Sequence, residues 1–256
     1  MKHPVRVTAG IVILALATFV AAEFLIAKYN GPSVPTPNIP RGAAELGSGR
    51  PLTYVVMGDS TSVGEGTDYG HSYALASAKH LAQDHLIKFV NVGISGATID
   101  SVVKQQLNQA VRYKPDVVLL AVGANNAKLF TNGHSIQTSL QQIVGGLKQA
   151  NCKVRIVVTG SPAMDAVTRF PWPLKQFMGL RTRQVNNAFA PIIKQDSLTF
   201  APVAAKTRAA FLADPTLFAA DKFHPNARGY ALWTPVVNQA LDQALKATVP
   251  AGCPKS

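Results

Sequence analysis

From Leu52 onward the chain alternates between short, nearly unbroken apolar runs and longer stretches with apolar positions at helical spacing. Unbroken runs read as strands buried on both faces, and helical spacing reads as helices with one buried stripe. Strands are expected at Leu52–Met57, Leu86–Val92, Asp116–Val122, Val154–Thr159 and Leu198–Val203. Helices are expected at Ser72–His85, Thr98–Tyr113, Ser135–Ala150, Leu180–Lys194 and Asn226–Ala247. In Thr98–Tyr113 the stripe is Ile99, Val102, Val103, Leu107 and Val111. Such alternation predicts an α/β domain whose parallel sheet is covered by helices on both faces. No internal repeat is visible.

The N-terminus follows a different pattern. Lys2, His3 and Arg6 precede an apolar stretch, Val7 to Ala22, that resumes after Glu23 and ends at Lys28. A basic start followed by an apolar run is read by export machinery. Val20-Ala21-Ala22 offers small residues for cleavage, while Val5 to Ala27 is long enough for a single membrane span. Residues 1–28 are therefore either a cleaved signal or a retained anchor, with the remainder outside in both cases. Residues 29–50 hold Pro32, Pro35, Pro37 and Pro40, then Gly42, Gly47 and Gly49, and read as an extended linker. The domain is expected over 51–250, with a tail at 251–256. The location that follows is extracytoplasmic, in the cell envelope or secreted.

Composition narrows the classes. A length of 256 residues suits one α/β domain. The net charge of +12 comes from 25 basic and 13 acidic residues. The cations are scattered, without a basic run, zinc-finger spacing or ribonucleoprotein motif, so a nucleic-acid partner is not expected. His71, His80, His85 and His134 lack ligand spacing, so neither a metal nor a cofactor is expected. The two cysteines, Cys152 and Cys253, exclude a disulfide scaffold. Both fall at the edge of the sheet away from the candidate chemistry, and are either a disulfide clamping the tail or two free thiols.

The chemistry collects where the strands end, as ligand sites in parallel sheets do. Gly58-Asp59-Ser60 follows the first strand, Gly93-Ile94-Ser95-Gly96 the second and Gly123-Ala124-Asn125-Asn126 the third, and Asp221-Lys222-Phe223-His224 precedes the last helix. A serine hydroxyl needs a base to become a nucleophile, and His224 can supply one. Asp221, three residues earlier, can orient the imidazole. The Ser60 and Gly96 amides and the Asn125 side chain can donate to an oxyanion. Singly, each segment is an ordinary turn or helix start; jointly, they supply the parts of acyl transfer. Asp59 reads as a structural residue of the turn. Ser95 sits in a near match to a nucleophile elbow, but Ala97 ends it, it follows the second strand, and the Asp-to-His spacing is too short for the fold that carries such elbows. The aromatic segment Ser161–Gly179, with Phe170, Trp172 and Phe177, either lines the substrate pocket or packs on the core.

These four segments resemble the blocks of the SGNH/GDSL hydrolase superfamily: Gly-Asp-Ser, the second-block Gly, Gly-x-Asn and Asp-x-x-His. The resemblance spans about Leu52 to Ala247. It implies a three-layer α/β/α sandwich with a five-stranded parallel sheet, and hydrolysis of esters or thioesters without a metal. Carried over, Ser60 would be the nucleophile, Asp221 and His224 its partners, and Gly96 and Asn125 the rest of the oxyanion hole. Thr61 stands where the older family name has Leu, and Asn126 stands where an acid is common. The expected activity is serine ester hydrolysis of a small-molecule, lipid or acylated-glycan ester. Transfer to a sugar hydroxyl, or a non-catalytic polymer-binding domain, are the alternatives. Membrane contact is expected only through residues 1–28; oligomeric state is not legible.

Overall fold

The computed structural model describes residues 32–40, 42–247 and 253, together with residues 10, 11, 14, 18, 19, 21, 22 and 25. The N-terminal signal or anchor therefore falls largely outside the described residues. Among the described residues, no helix is long and apolar enough to cross a membrane.

Six strands form one sheet: β1 (Ala44–Leu46), β2 (Arg50–Gly58), β3 (His85–Asn91), β4 (Val117–Ala121), β5 (Arg155–Val158) and β6 (Thr199–Phe200), in the order β1-β3-β2-β4-β5-β6. Five are parallel, in the doubly wound order with β2 near the centre. The sixth strand corrects the expected count. β1 runs antiparallel to β3 and uses residues read as linker. It is short and mostly exposed, so hydrophobic patterning carried no trace of it, yet it covers the sheet edge that β3 would otherwise present. β4 and the second half of β2 are buried, Val55, Val56, Met57 and Val117 to Ala121 having no exposed surface, as a sheet covered on both faces requires.

Helices α1 (Ser60–Val63), α2 (Tyr73–Leu81), α3 (Ile99–Gln105), α4 (Leu107–Arg112), α5 (Ala124–Lys128), α6 (Gly133–Ala150), α7 (Leu174–Gln195), α8 (Val203–Ala213) and α9 (Ala227–Lys246) fill the connections. A short 3-10 turn, Tyr69–His71, precedes α2. The single helix expected over Thr98–Tyr113 is two, broken at Gln106. The physical reason is the Gln106 side chain, which is fully buried. Its Oε1 accepts from the Gly58 amide and its Nε2 donates to the Gly58 carbonyl, both at 2.8 Å. The end of β2 is thereby clamped just before Ser60. Losing that amide would strand the buried Gly58 N–H, at about 1–3 kcal/mol, while the carbonyl would keep the Ile94 amide at 3.1 Å. α7 begins before the expected Leu180, and α8 was not anticipated.

Cys152 and Cys253 form a disulfide, with Cα atoms 5.6 Å apart. Of the two outcomes left open by the sequence, the clamp is the one realised.

Candidate active site

β2 ends at Gly58 with φ of 149°. A Cβ there would stand 2.0 Å from the Ala121 carbonyl oxygen, so only glycine lets the chain turn against β4. Asp59 then caps α1: its Oδ1 accepts from the Thr61 amide at 2.9 Å and the Thr61 hydroxyl at 2.8 Å. Burial raises the Asp59 carboxyl above its usual range, the Thr61 bonds only partly opposing this. Asp59 is thus a structural member of the turn, and the Thr61 hydroxyl serves that cap. The turn presents Ser60 as the first residue of α1, almost fully buried.

Ser60 Oγ lies 2.8 Å from His224 Nε2, and His224 Nδ1 lies 2.6 Å from Asp221 Oδ2. The other Asp221 oxygen accepts from the Phe223 and His224 amides, each at 3.0 Å. Burial alone would raise the Asp221 carboxyl. The bonds from His224 and the two backbone amides outweigh it and hold the carboxyl below its ordinary value. The loop is closed by the Ala219 amide on the His224 carbonyl at 2.8 Å and by a bridge between Phe218 and Pro225. It also leans on Gly66, where a Cβ would come within 2.9 Å of His224 Cβ.

The loops after β3 and β4 complete the floor. Asn125, in the first turn of α5, donates its amide to the Ala97 carbonyl at 3.1 Å, leaving its second N–H for another acceptor. Asn126 is the departure from the common acid. Its Oδ1 accepts from the Ile99 amide at 3.1 Å and its Nδ2 donates to the Thr131 hydroxyl at 3.1 Å. Donating to a hydroxyl and accepting from an amide at once suits a carboxamide, so the departure ties the two loops together.

Ser60, His224, Gly96, Asn125 and Phe170 line one pocket of about 340 Å³, with Asp221 behind His224. Trp172 and Phe177 do not line it. Trp172 is 73% exposed, and Phe177 stacks on Phe130 at 5.6 Å between ring centroids. Glu65, Lys128, Arg169 and Phe223 also line the pocket and were not anticipated. Only two of them carried a sequence signal: Lys128 follows Asn125 by one helical turn, and Phe223 sits inside Asp-x-x-His. Ser95 reaches the pocket as well, but its hydroxyl donates to Glu65 at 2.5 Å, whereas the His224 imidazole faces Ser60. Among the described residues, no three His, Cys, Asp or Glu side chains are grouped to hold a metal ion.

The model of the GDSL-like lipase/acylhydrolase family matches residues 56–232. The chain belongs to this family. A GDSL-like esterase of Mycobacterium tuberculosis is 28% identical over 197 residues, which is 75% of this chain and 62% of that protein. The chain thus spans less than two thirds of that relative's length. The crystal structure of TesA superposes with a TM-score of 0.62 at 17% identity, over 75% of this chain and 99% of TesA. An extracellular lipase from Streptomyces rimosus superposes with a TM-score of 0.58 at 20% identity, over 74% of this chain and 99% of the lipase. At such identities these two likenesses show a shared fold.

Proposed function

We propose that the protein is an exported serine hydrolase of carboxylic esters, working through an acyl-Ser60 intermediate. The observation that carries this is the continuous chain Ser60–His224–Asp221, at 2.8 and 2.6 Å, at the floor of an open pocket. In the first half-reaction the Ser60 oxygen attacks the ester carbonyl carbon while His224 Nε2 takes the hydroxyl proton. The carbonyl oxygen becomes an oxyanion facing the Ser60 and Gly96 amides and the second Asn125 N–H. Collapse breaks the bond to the alcohol oxygen, which leaves with the proton returned by His224. Water then attacks the acyl-serine, His224 again taking and returning one proton, and the carboxylic acid departs. Asp221, held as carboxylate, keeps the imidazole in the tautomer with Nδ1 protonated and stabilises its charge when it forms.

Family membership supports the reaction class. Export is supported by the basic and apolar N-terminus and by the Cys152–Cys253 disulfide, which persists in oxidising compartments. A pocket near the small end of ligand cavities favours a short acyl group. Labelling with a fluorophosphonate serine probe tests the reading, beside Ser60→Ala and aryl esters of rising chain length. We expect labelling that Ser60→Ala abolishes, and rates that fall as the acyl chain grows. A wild-type protein that neither labels nor cleaves any ester would overturn it.

A further inference from the structure

The pocket opens beside an exposed apolar patch that the chemistry above leaves unused. Leu129 and Phe130 directly follow the pocket residue Lys128, and Trp172 follows Phe170 by two positions. Leu129, Phe130, Trp172, Phe177 and Leu180 are all exposed, Trp172 the most at 73%. The two chain segments meet, since the Phe130 and Phe177 rings are in contact and Arg181 donates to the Thr131 carbonyl at 2.9 Å. Exposed aromatic and aliphatic side chains gathered in one place mark a contact surface.

The charge around the patch says what it contacts. Helix α7 carries Lys175, Arg181, Arg183 and Lys194 and not one Asp or Glu over its 22 residues. Arg181 follows Phe177 by four residues and Arg183 follows Leu180 by three, so cations and apolar groups share one face. An apolar strip with a basic rim matches an anionic lipid surface, where acyl chains take the strip and phosphates meet the cations.

We infer that this face docks on an anionic lipid bilayer and sets the pocket mouth at the lipid surface. The docking is separate from residues 1–28 and from the acyl chemistry. The protein carries its own reporter, because Trp172 and Trp233 are its two tryptophans and Trp233 is buried in the core.

The full chain, as Ser60→Ala so that no lipid is consumed, is mixed with phosphatidylcholine vesicles with and without phosphatidylglycerol. With phosphatidylglycerol, tryptophan emission should shift to the blue and be quenched by lipids brominated near the headgroup. Trp172→Phe should remove both signals. Arg183→Gln should lower the phosphatidylglycerol-dependent binding about fivefold. In the active enzyme, Leu180→Ser should weaken docking while leaving hydrolysis of a soluble aryl ester unchanged. Three results would each overturn the inference. Vesicles could bind the protein without moving Trp172 emission, meaning that the N-terminus alone carries binding. Emission could already be blue without vesicles and stay so, meaning that another part of the chain covers the patch. The shift could be equal with both lipids and insensitive to Arg183→Gln.

Discussion

The chain contains the pattern Asp-x-x-His twice, and the two copies differ in almost everything except spacing. Asp68 and His71 flank the 3-10 turn before α2, and His71 Nδ1 lies 2.7 Å from Asp68 Oδ2. Asp221 and His224 make the same contact at 2.6 Å. The first pair is exposed, its His and Asp side chains 66% and 67% accessible, whereas the second is 11% and 4% accessible. Both carboxyls are held below their ordinary value, for different reasons. At Asp68 the His71 bond does this with almost no burial to oppose it. At Asp221 burial opposes the shift and the His224 bond and two backbone amides overcome it. Spacing alone therefore yields the hydrogen bond. What separates a surface pair from a candidate base is enclosure, and a third group, Ser60, on the far nitrogen.

The comparison is sharpest where one imidazole is removed at a time. His224→Ala should lower kcat/KM on an activated ester on the order of 10⁵–10⁶-fold. His71→Ala should leave it unchanged. Asp221→Asn keeps the loop shape but can hold the wrong imidazole tautomer, and should cost on the order of 10⁴-fold in kcat, with Asp68→Asn again silent. Steady-state kinetics on one aryl ester decides all four, and comparable losses from the two pairs would break the distinction. Below these in size comes Asn125→Ala, which removes one oxyanion donor and should cost about 10²–10³-fold, mostly in kcat. A loss confined to KM would place Asn125 in ground-state binding instead.

The same contrast explains what was legible beforehand. Ser60, Gly96 and Asn125 each sit in a short contiguous segment at the end of a strand, and Asp221 and His224 share one just before the last helix. Apolar runs locate the strands, and the parallel topology then gathers their ends. Glu65 and Arg169 were invisible, because each reaches the pocket from a loop whose path depends on tertiary packing. Gln106 was invisible for a related reason: inside a helical pattern it reads as a surface residue, yet it is buried to clamp Gly58. Trp172 marks the opposite limit. Its apolarity was plain, but apolarity does not separate a pocket wall from the surface beside its mouth, which depends on where α7 begins.

The smallest expected difference lies in how the two pairs respond to acid. An unfolded Asp titrates near pH ~3.9, and both folded carboxyls titrate below that. The folded state thus binds its protons less readily. Each pair contributes stability that is present above pH ~4 and lost as pH falls through the folded value. Asn cannot titrate, so Asp221→Asn should make Tm fall less steeply as pH drops below about 4. Asp68→Asn should flatten the same limb slightly at low salt and less near 1 M salt, because the pair is exposed to the screening ions. Tm measured across that range at both salt concentrations is the check. Because Asp221 is enclosed with its partners, salt should not erase its effect. If high salt removes both flattenings equally, enclosure is not what distinguishes the pairs, and the weight placed on burial would shift to the Ser60 contact alone.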